Sequence, residues 1–337
     1  MRGQNSLVRT LQTAVLSIIV PIFNEEEVLY EFYRRLSRAL TSAHLDDVEI
    51  LFINDGSTDK TLGLLLALAQ TDARVQVLDL SRNFGKEAAM TAGLEHAAGD
   101  AAIIIDADLQ DPPELIPQMV AAWRNGADVV YMHRLSREKE TWLKKTTAAA
   151  FYALMGRIGR FRVPKNVGDF RLLSRRAIDA LNRMPERTRF MKGLFAWIGF
   201  PAQEISYHRA PRHAGTTKWN YWHLWNFAIE GITSFTVTPL KMASYVGVLT
   251  SLAALLFGGF VFARTLISGD PVPGYPSLMV VIVFLGGLQL LALGIMGEYL
   301  GRMFIETKQR PLYLVNRHYK AMAQQRKLAL VQDEGGR

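Results

Sequence analysis

Five short apolar runs, Val15 to Val20, Val48 to Ile53, Val75 to Leu80, Ile103 to Ile105 and Asp128 to Met132, alternate with stretches of helical period. Runs of this length, rich in Val and Ile and bounded by polar turns, predict strands buried on both faces. Between the first two, Val28, Leu29, Phe32, Leu36 and Leu40 recur at helical spacing. Thr61 to Ala69, Glu87 to Ala97 and Pro112 to Trp123 give three further helices. Pro21 closes the first run, and Asn24 followed by Glu25, Glu26 and Glu27 predicts a cap with an acidic first turn. Strands alternating with helices in this way predict an α/β unit with a mainly parallel sheet and helices on both faces. Ligands of such sheets bind beyond the carboxyl ends of the strands.

The pattern changes in the second half. Phe151, Leu154, Met155, Ile158 and Phe161 form a helical stripe flanked by Arg157, Arg160 and Arg162, which suits either a core-facing helix or one lying at the headgroup level. Trp219, Trp222 and Trp225 recur every three residues, a spacing and residue type at home at a bilayer interface. Met242 to Phe262 and Leu278 to Met296 each approach the roughly 20 residues that span a bilayer. The tail from Arg302 is basic and polar, with helix expected near Asn316 to Gln325. These limits divide the chain into a polar tail (1–14), an α/β domain (15–214), an amphipathic interfacial segment (215–240), a first span (241–263), a loop (264–276), a second span (277–299) and a final tail (300–337). The opening apolar run is too short for a signal peptide and reads as a strand. Lys218 and Lys241 precede the first span, and Arg302, Lys308, Arg310 and Arg317 follow the second, whereas the loop carries Arg264 opposed by Asp270. That asymmetry predicts both termini on the cytoplasmic side of a multi-pass membrane protein.

Composition narrows the partners. The 337 residues carry a net charge of +8, so an anionic partner is expected: a membrane surface, phosphorylated substrates or nucleic acid. Hydrophobic residues make up 49% against 21% charged, which favours the membrane. Nucleic acid would explain the charge but not the two spans, and it is set aside. The absence of cysteine excludes disulfides, thiolate metal sites and cysteine nucleophiles.

The densest chemistry lies in Asp100 to Glu114, D-A-A-I-I-I-D-A-D-L-Q-D-P-P-E. If the chain stays extended after Ile105, Asp106, Asp108 and Gln110 point the same way and offer two carboxylates and a carboxamide oxygen. Hard oxygen ligands of this kind suit Mg2+ or Mn2+ bound together with substrate phosphates. A solvated acidic loop ahead of the helix that Pro112 and Pro113 begin is the plainer alternative. Further on, Arg134, Arg137, Lys139, Lys144 and Lys145 are either a phosphate-binding group or a solvated charge run.

Taken together, I-I-V-P-I-F-N-E-E, I-N-D-G-S-T-D, S-R-N-F-G-K-E-A-A, I-D-A-D-L-Q-D-P-P-E and G-D-F-R-L-L-S-R resemble family 2 glycosyltransferases of the polyprenyl-phosphate type. The pattern is similar to dolichol-phosphate mannose synthases and, most of all, to bacterial bactoprenol-phosphate glucosyltransferases, from Val15 to about Tyr319. The resemblance implies a GT-A type domain followed by interfacial helices and two C-terminal transmembrane helices. It implies that Pro21, Phe23, Asn24, Glu25 and Asp55 hold the uracil and ribose of a UDP-type donor. Asp106 would touch ribose and metal, with Asp108 and Gln110 completing the metal site. Arg134, Arg137, Lys144 and Arg171 would bind the acceptor lipid's phosphate. Arg212 and Lys218, in R-H-A-G-T-T-K-W, would meet the diphosphate or that phosphate. Asp169 would orient a sugar hydroxyl or the acceptor, and Asp108, Asp169 and Arg134 are the catalytic candidates.

The function implied is transfer of one sugar, with inversion, from a UDP-sugar such as UDP-glucose to undecaprenyl (bactoprenol) phosphate. The product would serve cell-envelope glycan modification, such as that of lipopolysaccharide, at the bacterial inner membrane. The resemblance also implies an oligomer, since relatives with this tail are often oligomers, and a homo-oligomer is the form considered for this chain. A processive polysaccharide synthase would share the sheet and the D-x-D, but the chain has no Q-x-x-R-W and only two spans. A non-enzymatic membrane scaffold would have no reason to keep Asp106, Asp108 and Gln110 together with Asp55.

Overall fold

The computed structural model describes residues 15–45, 47–135, 167–207, 238–268 and 274–320. Its first unit is an α/β sheet. In chain order it contains β1 (Leu16–Ile22), α1 (Leu29–Ser42), β2 (Val48–Asn54), α2 (Thr61–Thr71), β3 (Val75–Leu80), α3 (Lys86–His96) and β4 (Ala101–Ile104). A short turn at Pro113–Leu115 leads into α4 (Ile116–Arg124), followed by β5 (Val129–Arg134), β6 (Val167–Ser174), α5 (Arg175–Asn182), α6 (Met191–Trp197) and β7 (Ala202–Tyr207). The eighth strand, β8 (Val315–Tyr319), belongs to the same sheet although it lies more than 100 residues after β7.

The sheet order is β7-β5-β6-β4-β1-β2-β3-β8. β4, β1, β2 and β3 run parallel to their neighbours within that group, as expected from the strand and helix alternation. β6 enters antiparallel between β4 and β5, and β7 adds parallel to β5. Every residue of β2, β3 and β4 is buried, Glu49, Asn54, Gln76 and Asp79 included, and the other side chains are apolar, which is why these strands read as mainly apolar runs. One face packs Ile18, Val20, Ile50, Phe52 and Phe170 against Phe32, Leu36 and Leu40 of α1 and Met119 of α4. On the other face α3 lies so close that Gly93 faces Ile19 and Ile53 with no room for a side chain.

Two expectations are corrected. Helix α1 begins at Leu29 and not behind Asn24: its N-cap is Val28, with no side-chain capping bond. Asn24 is instead in the left-handed region (φ 54°), where its carboxamide accepts from the Thr58 N–H at 2.8 Å, so it ties two loops together. The residues from Asn316 to Tyr319 are strand and not helix. β8 pairs antiparallel with β3, and its polar side chains meet the polar groups that β3 presents: Asn316 donates to Asp79 at 2.7 Å, and His318 meets Gln76 at 3.1 Å. An edge strand with unpaired backbone groups, supplied with those partners, outweighed a weak helical pattern.

The second unit contains α7 (Thr238–Ser268) and α8 (Tyr275–Lys308). Leu240–Phe260 and Val280–Lys308 are long and apolar enough to cross a membrane by length and composition. Their large apolar side chains, among them Leu255, Phe260, Leu290 and Phe304, face outward. At 1.5 Å per residue the 31 residues of α7 extend about 46 Å, more than the roughly 30 Å hydrocarbon layer. The stripe from Phe151 to Phe161, most of the interfacial segment and the Trp219 to Trp225 series lie outside the described residues.

Candidate active site

Four loops at the carboxyl ends of β1, β2, β3 and β4 enclose a cleft. Pro21, Phe23, Glu25, Asp55, Asn83, Gly85, Lys86, Asp106 and Asp108 are among its lining residues. The loops after β1 and β2 are joined by short-range chemistry. Asn24 N donates to Ser57 Oγ at 3.0 Å, Glu25 N to Thr61 Oγ1 at 3.0 Å, and Lys60 N to Glu26 Oε2 at 2.8 Å.

Asp55 joins the β2 and β3 loops. It is 3% exposed, and its two carboxylate oxygens accept the Phe84 N–H at 2.7 Å and the Gly85 N–H at 2.9 Å. Burial pushes its carboxyl upward, opposed by those two N–H groups. The following residue must be glycine. Gly56 has φ 66°, and a Cβ there would come within 2.5 Å of Asn83 N.

Beyond β4 the chain does not stay extended. Leu109 takes φ 61°, and the backbone N–H of Gln110 donates to Asp108 Oδ1 at 3.1 Å. Alternation therefore breaks: Asp106 and Asp108 line the cleft, whereas Gln110 is not among its lining residues. Among the described residues no three His, Cys, Asp or Glu side chains are grouped as a metal centre. Two hard carboxylates lining this cleft nevertheless fit Mg2+ or Mn2+, which keeps waters and takes ligands from a bound diphosphate.

At the inner wall, Lys86 Nζ lies 2.6 Å from Asp106 Oδ2 and 2.6 Å from Asp169 Oδ2. Burial works against the charge on Lys86, but the two carboxylates outweigh it and raise its pKa. For Asp169 burial acts upward, and Lys86, Lys192 and Arg171 override it, holding the carboxyl well below the usual range. Asp169 Oδ1 is buried and has no hydrogen-bond partner. Burial, with Asp169 nearby, pushes Glu87 up to about 7, and its Oε2 accepts from Met191 N at 3.1 Å. Lys86 and Glu87 were not among the sequence candidates, although both stand in S-R-N-F-G-K-E-A-A.

The cationic candidates separate. Arg171 is 5% exposed; burial lowers its pKa to about 10, its Nη2 donates to Gly168 O at 2.8 Å, and it stacks 3.8 Å over Phe195. Arg134 closes β5, donates to the Tyr207 hydroxyl at 3.2 Å and lies 3.9 Å from buried Asp111, which accepts from that same hydroxyl. Its guanidinium passes over Gly168, where a Cβ would overlap it. Arg134 is thus anchored from behind with its side chain still 22% exposed. Arg137, Lys144, Arg212 and Lys218 lie outside the described residues.

Residues 17–181 match the family described as Glycosyl transferase family 2. The glycosyltransferase sll0501 of Synechocystis sp. is 51% identical, over 90% of this chain and 95% of its own. A prophage bactoprenol glucosyl transferase homolog of Escherichia coli is 48% identical over 90% and 98%, and the bactoprenol glucosyl transferase of Shigella phage SfII is 47% identical over the same shares. The α/β sheet is the GT-A-like arrangement that the resemblance implied. Identity of this order along nearly the whole chain fixes the assignment: the protein belongs to glycosyl transferase family 2, alongside the bactoprenol glucosyl transferases, and is a glycosyltransferase.

Proposed function

We propose that this glycosyltransferase moves a single sugar from a UDP-sugar, with UDP-glucose the first candidate, to the phosphate of a polyprenyl lipid such as undecaprenyl phosphate. The observation that carries this reading is one cleft lined by Pro21, Phe23, Asp55, Asp106 and Asp108, in a chain 47% identical to a bactoprenol glucosyl transferase. Phe23 offers an apolar face to a base, and Asp106 and Asp108 would hold Mg2+ or Mn2+. When bound, that ion would supply positive charge to the departing diphosphate.

A lipid phosphate has its second pKa near about 6 and is largely dianionic at neutral pH, so it attacks without a strong general base. Its oxygen forms the new bond to the anomeric carbon as the bond to the diphosphate breaks, and UDP leaves with the electron pair. One displacement inverts the anomeric carbon. Arg134 at the end of β5 and Arg171 on the neighbouring strand β6 are the acceptor-phosphate candidates; Arg137, Lys144, Arg212 and Lys218 keep that role as expectations from the motif. Asp169, with a buried oxygen lacking a partner, is suited to accept from a sugar hydroxyl. The experiment is incubation of the purified protein with a panel of nucleotide sugars and a polyprenyl phosphate. UDP-glucose should be consumed fastest, and the product's anomeric configuration, read by NMR, should be opposite to the donor's; retention would contradict the single displacement.

The reading also places α7 and α8 across a bacterial inner membrane, with the catalytic sheet and both termini cytoplasmic. Its support is connectivity: β7 precedes the helix pair, β8 follows it, and both strands lie in one sheet. Chain that leaves a sheet and returns to it crosses a bilayer an even number of times. With single cysteines in this cysteine-free chain, an impermeant thiol reagent added to intact cells should label Ser268→Cys and leave Gln70→Cys unlabelled. The opposite pattern would contradict the orientation.

A further inference from the structure

Lys86 opens α3 where the donor cleft meets β6, and its single ammonium group is shared equally between Asp106 and Asp169, 2.6 Å from each. The lysine side chain is 41% exposed, against 20% and 14% for the two carboxylates. An ammonium on a four-carbon stem is a compact charge with three donors, able to exchange one anion for another by bond rotation. A divalent ion held by Asp106 would compete with Lys86 for the same carboxylate, because two cations on one oxygen pair repel.

We propose that Lys86 is an exchangeable cation of the donor site, an inference that rests on the reading of Asp106 and Asp108 as metal carboxylates. Without donor, Lys86 neutralises Asp106 and Asp169 together and opposes entry of the metal. When the nucleotide diphosphate and metal enter together, Lys86 gives up Asp106, keeps Asp169, and turns the freed N–H to the diphosphate. The negative charge of the donor takes the place of Asp106 in its coordination. Lys86 thus makes metal binding depend on donor binding, and by linkage makes donor binding depend on metal. It also keeps Asp169 placed throughout.

The test is Mn2+ affinity, read from the electron paramagnetic resonance signal of free Mn2+, for the full-length protein in detergent with and without UDP. In the parent, UDP should tighten Mn2+ binding. Lys86→Met should bind Mn2+ alone about 5- to 10-fold more tightly than the parent and show a smaller gain on adding UDP. Lys86→Arg, which keeps the charge, should stay near the parent. Lys86→Gln, whose carboxamide can still donate to either carboxylate, gives the same comparison if the Met variant does not fold. Asp108→Asn, measured alongside, reports on the metal reading itself. Loss of Mn2+ binding in Asp108→Asn, with unchanged or weaker binding in the neutral Lys86 variants, overturns the role of Lys86 and leaves the metal site standing. Unchanged binding in Asp108→Asn overturns both.

Discussion

Asp108→Asn should lower sugar transfer by about 100-fold or more, the usual scale for removing one electrostatic stabiliser of a developing charge. The variant is a clean one for structural reasons. Asp108 Oδ1 accepts the Gln110 N–H at 3.1 Å, and an Asn oxygen can accept it equally well, so the turn at Leu109 keeps its bond while the cleft loses a negative charge. Circular dichroism and thermal unfolding should match the parent. Transfer rates should be compared across a titration of Mg2+ or Mn2+. Equal rates for parent and variant at limiting metal would remove Asp108 from the site.

Gly56→Ala should act through the backbone and should be the most damaging small substitution in the cleft. Its φ of 66° belongs to the left-handed region, and the added Cβ would meet the backbone of Arg82 and Asn83, which cannot rotate away as a side chain could. Strain and overpacking together amount to about 3 kcal/mol. Relief requires the loop after β3 to retreat, and that loop is the one Asp55 holds through Phe84 and Gly85. Denaturant unfolding should therefore show the loss of stability, and UDP affinity should fall by about tenfold or more, which takes about half of that energy. Parent-like stability together with parent-like UDP binding would contradict the tight approach of the two loops.

The contrast between Gly56 and Lys86 marks what could be read from the chain. Local patterns carried β1 to β5 and the helices between them, because strands buried on both faces leave apolar runs and covering helices leave their own period. The second half of the sheet was hidden for physical reasons. G-D-F-R-L-L-S-R was legible as a motif but not as a strand, since β6 mixes Asp169 and Arg171 with apolar residues. β8 depends on β3 for its conformation and carries little of its own. Gln110 was grouped with Asp106 and Asp108 on the premise of extended chain, which Leu109 breaks with a positive φ. Asp55 could be placed at a strand's carboxyl end from the sequence and it lines the cleft, whereas Asn24 is not among the lining residues; both fasten loops, the turn chemistry that their contexts favoured. Lys86 was not legible, because its partners lie 20 and 83 residues away and no spacing rule connects them.

The basic residues bear a similar lesson. Arg134 could be singled out through the family resemblance, yet its anchoring by Tyr207 and Asp111 comes from residues 73 and 23 positions distant. Such partners fix where a guanidinium points, and that direction decides whether a phosphate can be met bidentately. The identity of the sugar depends on contacts of the same dispersed kind.

The most direct measurement is the mass of the lipid product. Purified protein, polyprenyl phosphate, Mn2+ and UDP-glucose should yield a lipid heavier than the acceptor by one hexose residue, with UDP released in equal amount and no longer glycan formed. An unchanged lipid in the presence of every nucleotide sugar offered, or a ladder of added sugars, would contradict single transfer to a lipid phosphate from the cleft between Asp55 and Asp108.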